Sequence, residues 1–278
     1  MSLITPLDPG SRRSAPQPAL EVRESVHTTL FGRIASAVAS SCGSVHHVNE
    51  DAHSAIDRSP AIFIVADGVG GGAMAAMVSR RLVAHLHAAL AIDGVDAETV
   101  RQALLDADRA IADSIAQVTD SPGAATVALC APVNLMASKW LVAWVGDCRI
   151  YRLAHGDGQS LQALTMDDTF ERLDETPPPG SSPDDPARMV GNGAVVRPNV
   201  ALAEVMQGDL LVACSDGVHK HVAPDEWERE LRSPQGLVQR CESLIGVARA
   251  NGSIDDATVL LVQRTSFGVP RLPWGGRS

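Results

Sequence analysis

Aspartate residues stand at the ends of four strand-like apolar segments in this sequence. Asp67 follows AIFIVA, Asp147 follows WLVAWVG, Asp216 follows LLVACS, and the pair Asp255 and Asp256 precedes ATVLLV. The end of a strand is a rigid place from which to direct a carboxylate, and an adjoining glycine lets the backbone turn closely around a ligand. Carboxylates gathered in one cleft would repel one another unless a cation neutralised them. The pattern therefore predicts an oxygen-ligand site for a hard divalent metal.

Seven segments rich in β-branched and other apolar residues predict the strands that would carry these aspartates. They are residues 61 to 66, 124 to 133, 139 to 146, 148 to 153, 159 to 165, 209 to 214 and 257 to 263. Several follow one another across short turns, which favours antiparallel pairing.

Four further segments predict helices, in two separate pairs. They are residues 73 to 90, 97 to 118, 224 to 232 and 235 to 250. In the second of them apolar residues recur every three or four positions, so one face should be buried, and Asp96 is the expected N-cap. Strands in clusters with helices in separate pairs predict an α+β layered sandwich rather than alternating βαβ units.

The chain divides by composition into one domain with irregular ends. Residues 1 to 26 are rich in proline, serine and arginine without periodicity, which predicts a flexible leader. We expect the domain over residues 27 to 264 and an irregular tail over 265 to 278. Within the domain, residues 166 to 208 are rich in proline and acidic residues and predict a long, flap-like surface insertion.

Composition excludes several classes of protein. The net charge of −10 and the lack of a basic run argue against nucleic-acid binding. Five dispersed cysteines without a CxxC pair argue against zinc. No apolar run reaches the roughly 18 residues that span a membrane, and the amino terminus lacks the apolar centre of a secretory signal. We therefore expect a cytoplasmic protein without a membrane partner, and a monomer.

Seven segments, taken in order, resemble the motif series of the PPM-type, or type 2C, metal-dependent protein phosphatases. They are GSVHHVNEDAH, VADGVGGG, GAATVAL, VAWVGDCRIYRL, ALTMDD, GDLLVACSDGV and DDATVLLV, and they cover about residues 43 to 263. Asp-Gly alone is a common turn dipeptide, whereas seven motifs in order are specific. The resemblance implies a four-layer α-β-β-α sandwich, in which two central, mostly antiparallel sheets are flanked by helix pairs.

The resemblance also implies a cofactor of two Mn²⁺ or Mg²⁺ ions. Asp67 would bridge both ions, and the backbone carbonyl of Gly68 would complete the second site. Asp216 and Asp255 would bind the first ion. These three aspartates would be catalytic through a water activated by the metal.

Other acidic residues have accessory roles by the same resemblance. Glu50 and Asp51 would lie beside the second ion, largely through bound water. Asp147 would help Asp216 to hold a third, weaker ion, as in bacterial members. Asp256 stands where the family usually has asparagine; we favour a role as hydrogen-bond acceptor or turn residue, with direct metal binding as the alternative.

Two positions depart from the family pattern. His46 stands where many members have an arginine that clamps the substrate phosphate. It either contacts the phosphate, in which case binding depends on pH, or lies at the surface while metal alone holds the phosphate. Val69 replaces the histidine of eukaryotic members, and an apolar residue there is typical of bacterial members.

The predicted function is hydrolysis of phosphoserine and phosphothreonine in proteins, opposing a Ser/Thr kinase. The insertion at 166 to 208 would influence which phosphoproteins dock. One alternative is a pseudophosphatase that serves as a regulatory binding module, but all three ligand aspartates are retained. A weaker alternative is hydrolysis of a small phosphorylated metabolite.

Overall fold

Eleven strands and five helices make up the part of the chain that the structure describes. The computed structural model describes residues 20–30, 32–117, 123–156, 160–195 and 197–266. The strands form a six-stranded sheet and a five-stranded sheet. Every strand pairing within these residues is antiparallel, as the short connections predict.

Each sheet combines strands that are distant in sequence. The six-stranded sheet contains, in spatial order, β1 (Leu20–Thr29), β2 (Gly32–Ser41), β11 (Ala257–Ser266), β10 (Leu210–Cys214), β7 (Arg149–Leu153) and β8 (Leu161–Ala163). The five-stranded sheet contains β3 (Asp51–His53), β4 (Phe63–Val69), β5 (Ala124–Pro132), β6 (Lys139–Val145) and β9 (Asn199–Glu204).

The helices pack on the outer faces of the sheets. They are α1 (Ala73–Asp93), α2 (Ala97–Ala116), α3 (Asp216–His219), α4 (Pro224–Leu231) and α5 (Leu237–Ala250). Asp96 caps α2 as predicted, because its carboxylate accepts hydrogen bonds from the N–H groups of Glu98 and Thr99 at 2.9 Å each. None of the described helices combines the length and the apolar content needed to cross a membrane.

Three apolar cores separate four layers. Side chains of α1 and α2 pack on the five-stranded sheet, and those of α4 and α5 pack on the six-stranded sheet. Between the sheets, Phe63 stacks on Trp140 at 5.9 Å, beside Ile150 and Leu260. The predicted α-β-β-α sandwich is confirmed.

The predicted domain limits need correction at both ends. β1 begins at Leu20 and pairs with β2 from Leu20↔Ser41 to Thr29↔Gly32, so the predicted leader is wrong for residues 20 to 26. β1 is an edge strand with largely exposed side chains, so its sequence is polar and lacks a strand pattern. β11 likewise runs to Ser266, into the predicted tail. Residues 1 to 19 and 267 to 278 lie outside the described residues.

The predicted insertion at 166 to 208 also contains regular structure. Its last part forms β9, which pairs with β6 at the edge of the five-stranded sheet. Two other strands, β2 and β3, had no sequence prediction. β2 is built largely from alanine and serine, and β3 has three residues, so neither carries a strong apolar signal.

Candidate metal centre

Strand ends from both sheets meet at one cleft. Asp51 in β3 lies directly opposite Asp67 in β4, while Asp216 follows β10 and Asp255 precedes β11. The cleft is a cavity of about 400 Å³, and its lining includes seven predicted site residues: His46, Glu50, Asp67, Gly68, Asp147, Asp216 and Asp255. The other two, Asp51 and Asp256, are buried beside it. The structure thus brings together all nine predicted residues.

Asp67 and Asp216 are a close pair of carboxyl groups whose pKa values shift in opposite directions. Their carboxyl groups are within hydrogen-bonding reach. Burial raises the pKa of Asp67 well above its usual value, and the charges of Asp51 and Asp216 raise it further. Burial also opposes ionisation of Asp216, but Lys220 and the hydrogen bond from Asp67 outweigh it and lower the pKa of Asp216. A divalent cation would allow both carboxylates to ionise.

Two buried carboxylate oxygens have no hydrogen-bond partner within the described residues: Oδ1 of Asp51 and Oδ1 of Asp216. The other oxygen of Asp51 accepts a hydrogen bond from Ser215 Oγ at 2.7 Å. Burial raises the pKa of Asp51 to about 8, although the Ser215 hydrogen bond opposes the shift. A buried oxygen without a donor is costly unless a cation or its bound water satisfies it.

Gly68 brings the backbone of β4 against the start of α1. Its N–H donates to the Glu50 carbonyl oxygen at 3.2 Å, and a Cβ here would overlap the Ala75 carbonyl. Ser79 Oγ donates to the same Glu50 carbonyl at 2.5 Å, and the Glu50 carboxylate accepts from the Gly72 N–H. These bonds fix Glu50 beside Gly68 at the rim of the cleft.

Asp255 and Asp256 lie in different environments. The buried carboxylate of Asp256 accepts from the N–H groups of Gly43 and Glu50, each at 2.6 Å. Asp255 has 47% of its side chain exposed and lines the cleft. Candidate ligand atoms of His46, Asp255 and Asp256 lie within 4.8 Å of one another, but both oxygens of Asp256 are engaged. The geometry favours Asp255 as a ligand and Asp256 as an acceptor that holds the backbone.

His46 lies at the edge of the cavity beside three carboxylates. Its Nδ1 is 3.0 Å from Asp256, 3.7 Å from Asp255 and 3.9 Å from Glu50. Burial opposes protonation, but the hydrogen bond and charge of Asp256 outweigh it and raise the pKa of His46. With Nδ1 donating to Asp256, a protonated ring still has the Nε2–H as a second donor.

Asp147, in the turn between β6 and β7, has a partner that sequence reasoning missed. Lys220 Nζ lies 3.3 Å from Asp147 Oδ2 and 2.8 Å from Asp216 Oδ2. Burial raises the pKa of Asp147 to about 6, with Asp216 adding to the shift and Lys220 opposing it. The sequence indicates the contact with Asp216 but not the one with Asp147, because Lys220 follows Asp216 by the four residues that bring side chains together on a helix.

Arg249 in α5 is a second missed residue that positions the cleft. Its Nη2 donates to the carbonyl oxygens of Ser41 and Cys42 at 3.0 and 3.2 Å. Its Nη1 donates to the carbonyl oxygens of Ser253, at 3.1 Å, and Asp255. Arg249 therefore ties the end of β2 to the loop before β11, and nothing in one sequence distinguishes it from other helical arginines.

The donors of this cleft fit a hard divalent cation. They are carboxylate oxygens together with backbone carbonyls, the ligands that Mn²⁺, Mg²⁺ and Ca²⁺ prefer. The orphaned oxygens and the raised pKa values both reflect buried carboxyl groups: burial is the largest cause of the raised pKa values, and the charges of neighbouring carboxylates add to it. A bound metal ion would relieve both effects.

Comparison with known proteins places this cleft in a family. Residues 31–176 match the family model described as protein phosphatase 2C. The serine/threonine phosphatase Stp of Listeria monocytogenes is 29% identical over 242 residues, which covers 80% of this chain and 92% of that protein.

Solved structures have the same fold. The serine/threonine phosphatase PstP of Mycobacterium tuberculosis has a TM-score of 0.71 at 26% identity, over 84% of this chain and 99% of that chain. A catalytic domain of PstP in complex with 2 manganese ions has a TM-score of 0.68 at 24% identity, over 89% of this chain and 100% of that chain.

Proposed function

The chain belongs to the protein phosphatase 2C family, and from this premise we propose that it hydrolyses phosphoserine and phosphothreonine in proteins with divalent metal as cofactor. The observation that carries the proposal is the convergence of Asp67, Asp216 and Asp255 on one cleft. A regulatory module without catalysis would have no need to keep three carboxylates in a costly arrangement. Their joint presence favours an active enzyme over the pseudophosphatase alternative.

Two ions, Mn²⁺ or Mg²⁺, are the cofactor of this proposal. Asp67 would be the ligand that both ions share, Asp216 and Asp255 would hold the first ion, and the Gly68 carbonyl would contribute to the second. The raised pKa of Asp67 and the orphaned oxygen of Asp216 support this assignment. When bound, the metal activates a water at neutral pH and neutralises the phosphoryl oxygens.

Glu50 and Asp51 would act beside the second ion by holding water molecules bound to it. The orphaned Oδ1 of Asp51 supports a role as acceptor for such a water. Asp256 acts on the backbone instead, because Gly43 and Glu50 occupy its two oxygens.

The protein residues orient the substrate and limit its access. Hydrolysis joins the oxygen of water to phosphorus and breaks the bond from phosphorus to the serine or threonine oxygen, which takes up a proton. Val69 lines the cleft and cannot supply that proton, so the proton comes from water. His46, held by Asp256, donates from Nε2 to a phosphate oxygen when it is protonated.

The substrate is a phosphorylated protein rather than a small metabolite. Residues of the insertion at 166 to 208, including Phe170, Pro178 and Met189, line the same cavity as Asp67, so a docked chain would meet them next to its phosphate. A Ser/Thr kinase that produces this phosphate would be the functional counterpart. The kinase, the monomeric state and the cytoplasmic location stay predictions.

The test is release of phosphate from a phosphothreonine peptide as Mn²⁺ is added. We expect activity that requires metal and falls by at least about 100-fold in Asp67→Asn, because that variant loses the shared ligand. Asp184→Asn is the matched control, since it removes an exposed acid from the insertion. A correctly folded chain that binds Mn²⁺ but releases no phosphate would favour the binding module, and preference for a free phosphorylated sugar would favour the metabolite enzyme.

A further inference from the structure

Lys220 bridges two carboxylates where the sequence predicted an accessory metal ion. Its Nζ lies 2.8 Å from Asp216 Oδ2 and 3.3 Å from Asp147 Oδ2. Asp147 is 2% exposed, and Lys220 is the cationic side chain that contacts its carboxylate within the described ranges. Asp147 and Asp216 are the pair expected to hold a third ion, and one ammonium already bonds to both and offsets one of their two negative charges.

Two anchors place this lysine. Asp216 begins α3 and Lys220 directly follows its last residue, so the two side chains meet across one helical turn. His219, the residue before the lysine, bonds through Nε2 to the Asp147 carbonyl oxygen at 2.9 Å. This bond fixes α3 to the turn between β6 and β7 and so holds the Lys220 ammonium close to the Asp147 carboxylate.

A divalent cation would compete with the ammonium for the same oxygens. An ion shared by Asp147 and Asp216 would need the position of Nζ, or would lie close enough to be repelled by its charge. Lys220 is covalently tethered, so its local concentration far exceeds that of a free ion. The Lys220 ammonium therefore binds Asp147 and Asp216 in preference to a free divalent ion.

We propose that Lys220 is a built-in cation that takes the place of the accessory metal ion at Asp147 and Asp216, so that the enzyme uses two ions and not three. This inference rests on the proposed function, and it changes Asp147 from a metal ligand into the partner of a lysine. The neutralising charge at this corner of the cleft is then independent of the metal supply.

The residues that would hold a third ion therefore do not fit one in this chain. The cavity next to the cleft, about 880 Å³ in volume, is lined by Lys220, Arg149 and Arg172 and also by four acidic residues: Asp167, Asp168, Glu171 and Asp184. Arg149 is already paired with Asp167, at 2.5 Å.

The experiment counts Mn²⁺ ions per chain by equilibrium dialysis and elemental analysis over a rising range of free Mn²⁺. We expect two ions in the wild type, two in Lys220→Arg, and two in Asp147→Asn, because Asp147 holds no ion. Lys220→Met should gain a third, weaker ion. Arg172→Met removes a cation from the neighbouring cavity without touching Asp147 or Asp216, and should stay at two.

Three ions in the wild type, falling to two in Asp147→Asn, would overturn the proposal, as would a folded Lys220→Met that gains no ion. If Lys220→Met does not fold, the wild type and Asp147→Asn still decide. Phosphate release is measured separately: a chain that binds two ions but releases no phosphate would contradict the proposed function and still support the role of Lys220.

Discussion

Asp255 and Asp256 are neighbours in sequence with different partners. Asp256 binds two backbone N–H groups and His46, all on its buried carboxylate. Asp255 is half exposed and faces the cleft. The sequence alone left both as candidate ligands, since it does not reveal which carboxylate the Gly43 and Glu50 backbones approach.

Alanine at each of these two positions should therefore affect a different property: stability for Asp256, and metal binding for Asp255. Asp256→Ala leaves the Gly43 and Glu50 N–H groups buried without acceptors, and we expect it to lower the free energy of unfolding by roughly 2–4 kcal/mol in EDTA. Asp255→Ala, the matched control, should lower it by less than about 1 kcal/mol but weaken Mn²⁺ binding strongly. Urea denaturation and Mn²⁺ titration measure both quantities. Unchanged stability with lost metal affinity in Asp256→Ala would make Asp256 a ligand after all.

His46 should make phosphate binding depend on pH. Asp256 raises the pKa of His46 despite its partial burial, so the ring carries its charge up to a higher pH than a free histidine. The contribution to kcat/KM should be full at low pH and lost as the pH rises through that raised pKa. The ratio of wild type to His46→Ala should therefore be largest near pH 6 and approach one near pH 9.

Two further variants separate charge from shape at this position. His46→Arg keeps a positive charge at every pH and should remove the pH dependence of the ratio. His46→Gln keeps a donor without charge and should resemble His46→Ala. A ratio that stays near one from pH 6 to 9 would place His46 outside the phosphate site.

At the scale of elements, the cleft depends on a close approach between α3 and the start of β11. A Cβ at Gly217 would overlap the carbonyl oxygen of Asp256, so glycine is required there. Ser215 adds a second link, because its Oγ accepts from the Thr258 N–H at 3.0 Å and donates to Asp51. These contacts bring Asp216 beside Asp255.

Gly217→Ala should therefore damage both stability and metal binding. We expect a loss of roughly 1–3 kcal/mol in the free energy of unfolding, because the methyl group must displace backbone, and a weaker affinity for Mn²⁺. Gly246→Ala is the matched control: this glycine lies in α5 with open space around it, and alanine should stabilise the helix by up to about 1 kcal/mol. Chemical denaturation and Mn²⁺ titration of both variants check this, and a Gly217→Ala protein as stable as wild type would show that α3 can move freely.

At the scale of the whole molecule, sequence patterns identified the elements with strong signals. The strands that lead to Asp67, Asp147 and Asp216 have long apolar runs, and Asp96 is a recognisable N-cap for α2. β1 was missed because an edge strand needs only backbone pairing, and its polar residues resemble a leader. Contacts between segments that are distant in the chain could not be predicted from the sequence either.

Lys220 illustrates that limit for the site. Its contact with Asp216 spans four residues and follows from helical geometry, whereas its contact with Asp147 spans 73 residues. The second contact exists because α3 packs on the turn between β6 and β7. The motif order revealed which carboxylates gather, and the fold determined which of them already has a cation.

The concentration of buried acid in the cleft should make the stability of the whole molecule depend on pH in a way that metal reverses. Burial raises the pKa of Asp51 to about 8, and raises that of Asp67 well above its usual value. In the unfolded chain both groups ionise near pH 4. Their stabilising contribution is thus complete at low pH and is lost as the pH rises through the folded-state values.

In EDTA we expect the Tm to fall by more than about 5 °C between pH 6.5 and pH 9, because unfolding then releases the protons that the buried carboxyls retain. His219 does not contribute to the pH dependence in this window. Burial lowers its pKa to about 4, so its protonation favours unfolding only below about pH 6.5. With saturating Mn²⁺ the Tm should instead hold or rise over the same window, since metal binds the ionised carboxylates. In EDTA, the Tm of Asp51→Asn should fall less over this pH range than the Tm of the wild type. Thermal unfolding with and without Mn²⁺ checks each expectation. Equal stability of the metal-free wild type at pH 6.5 and pH 9 would mean that these carboxyls are already ionised and that the cleft does not need a metal to hold them.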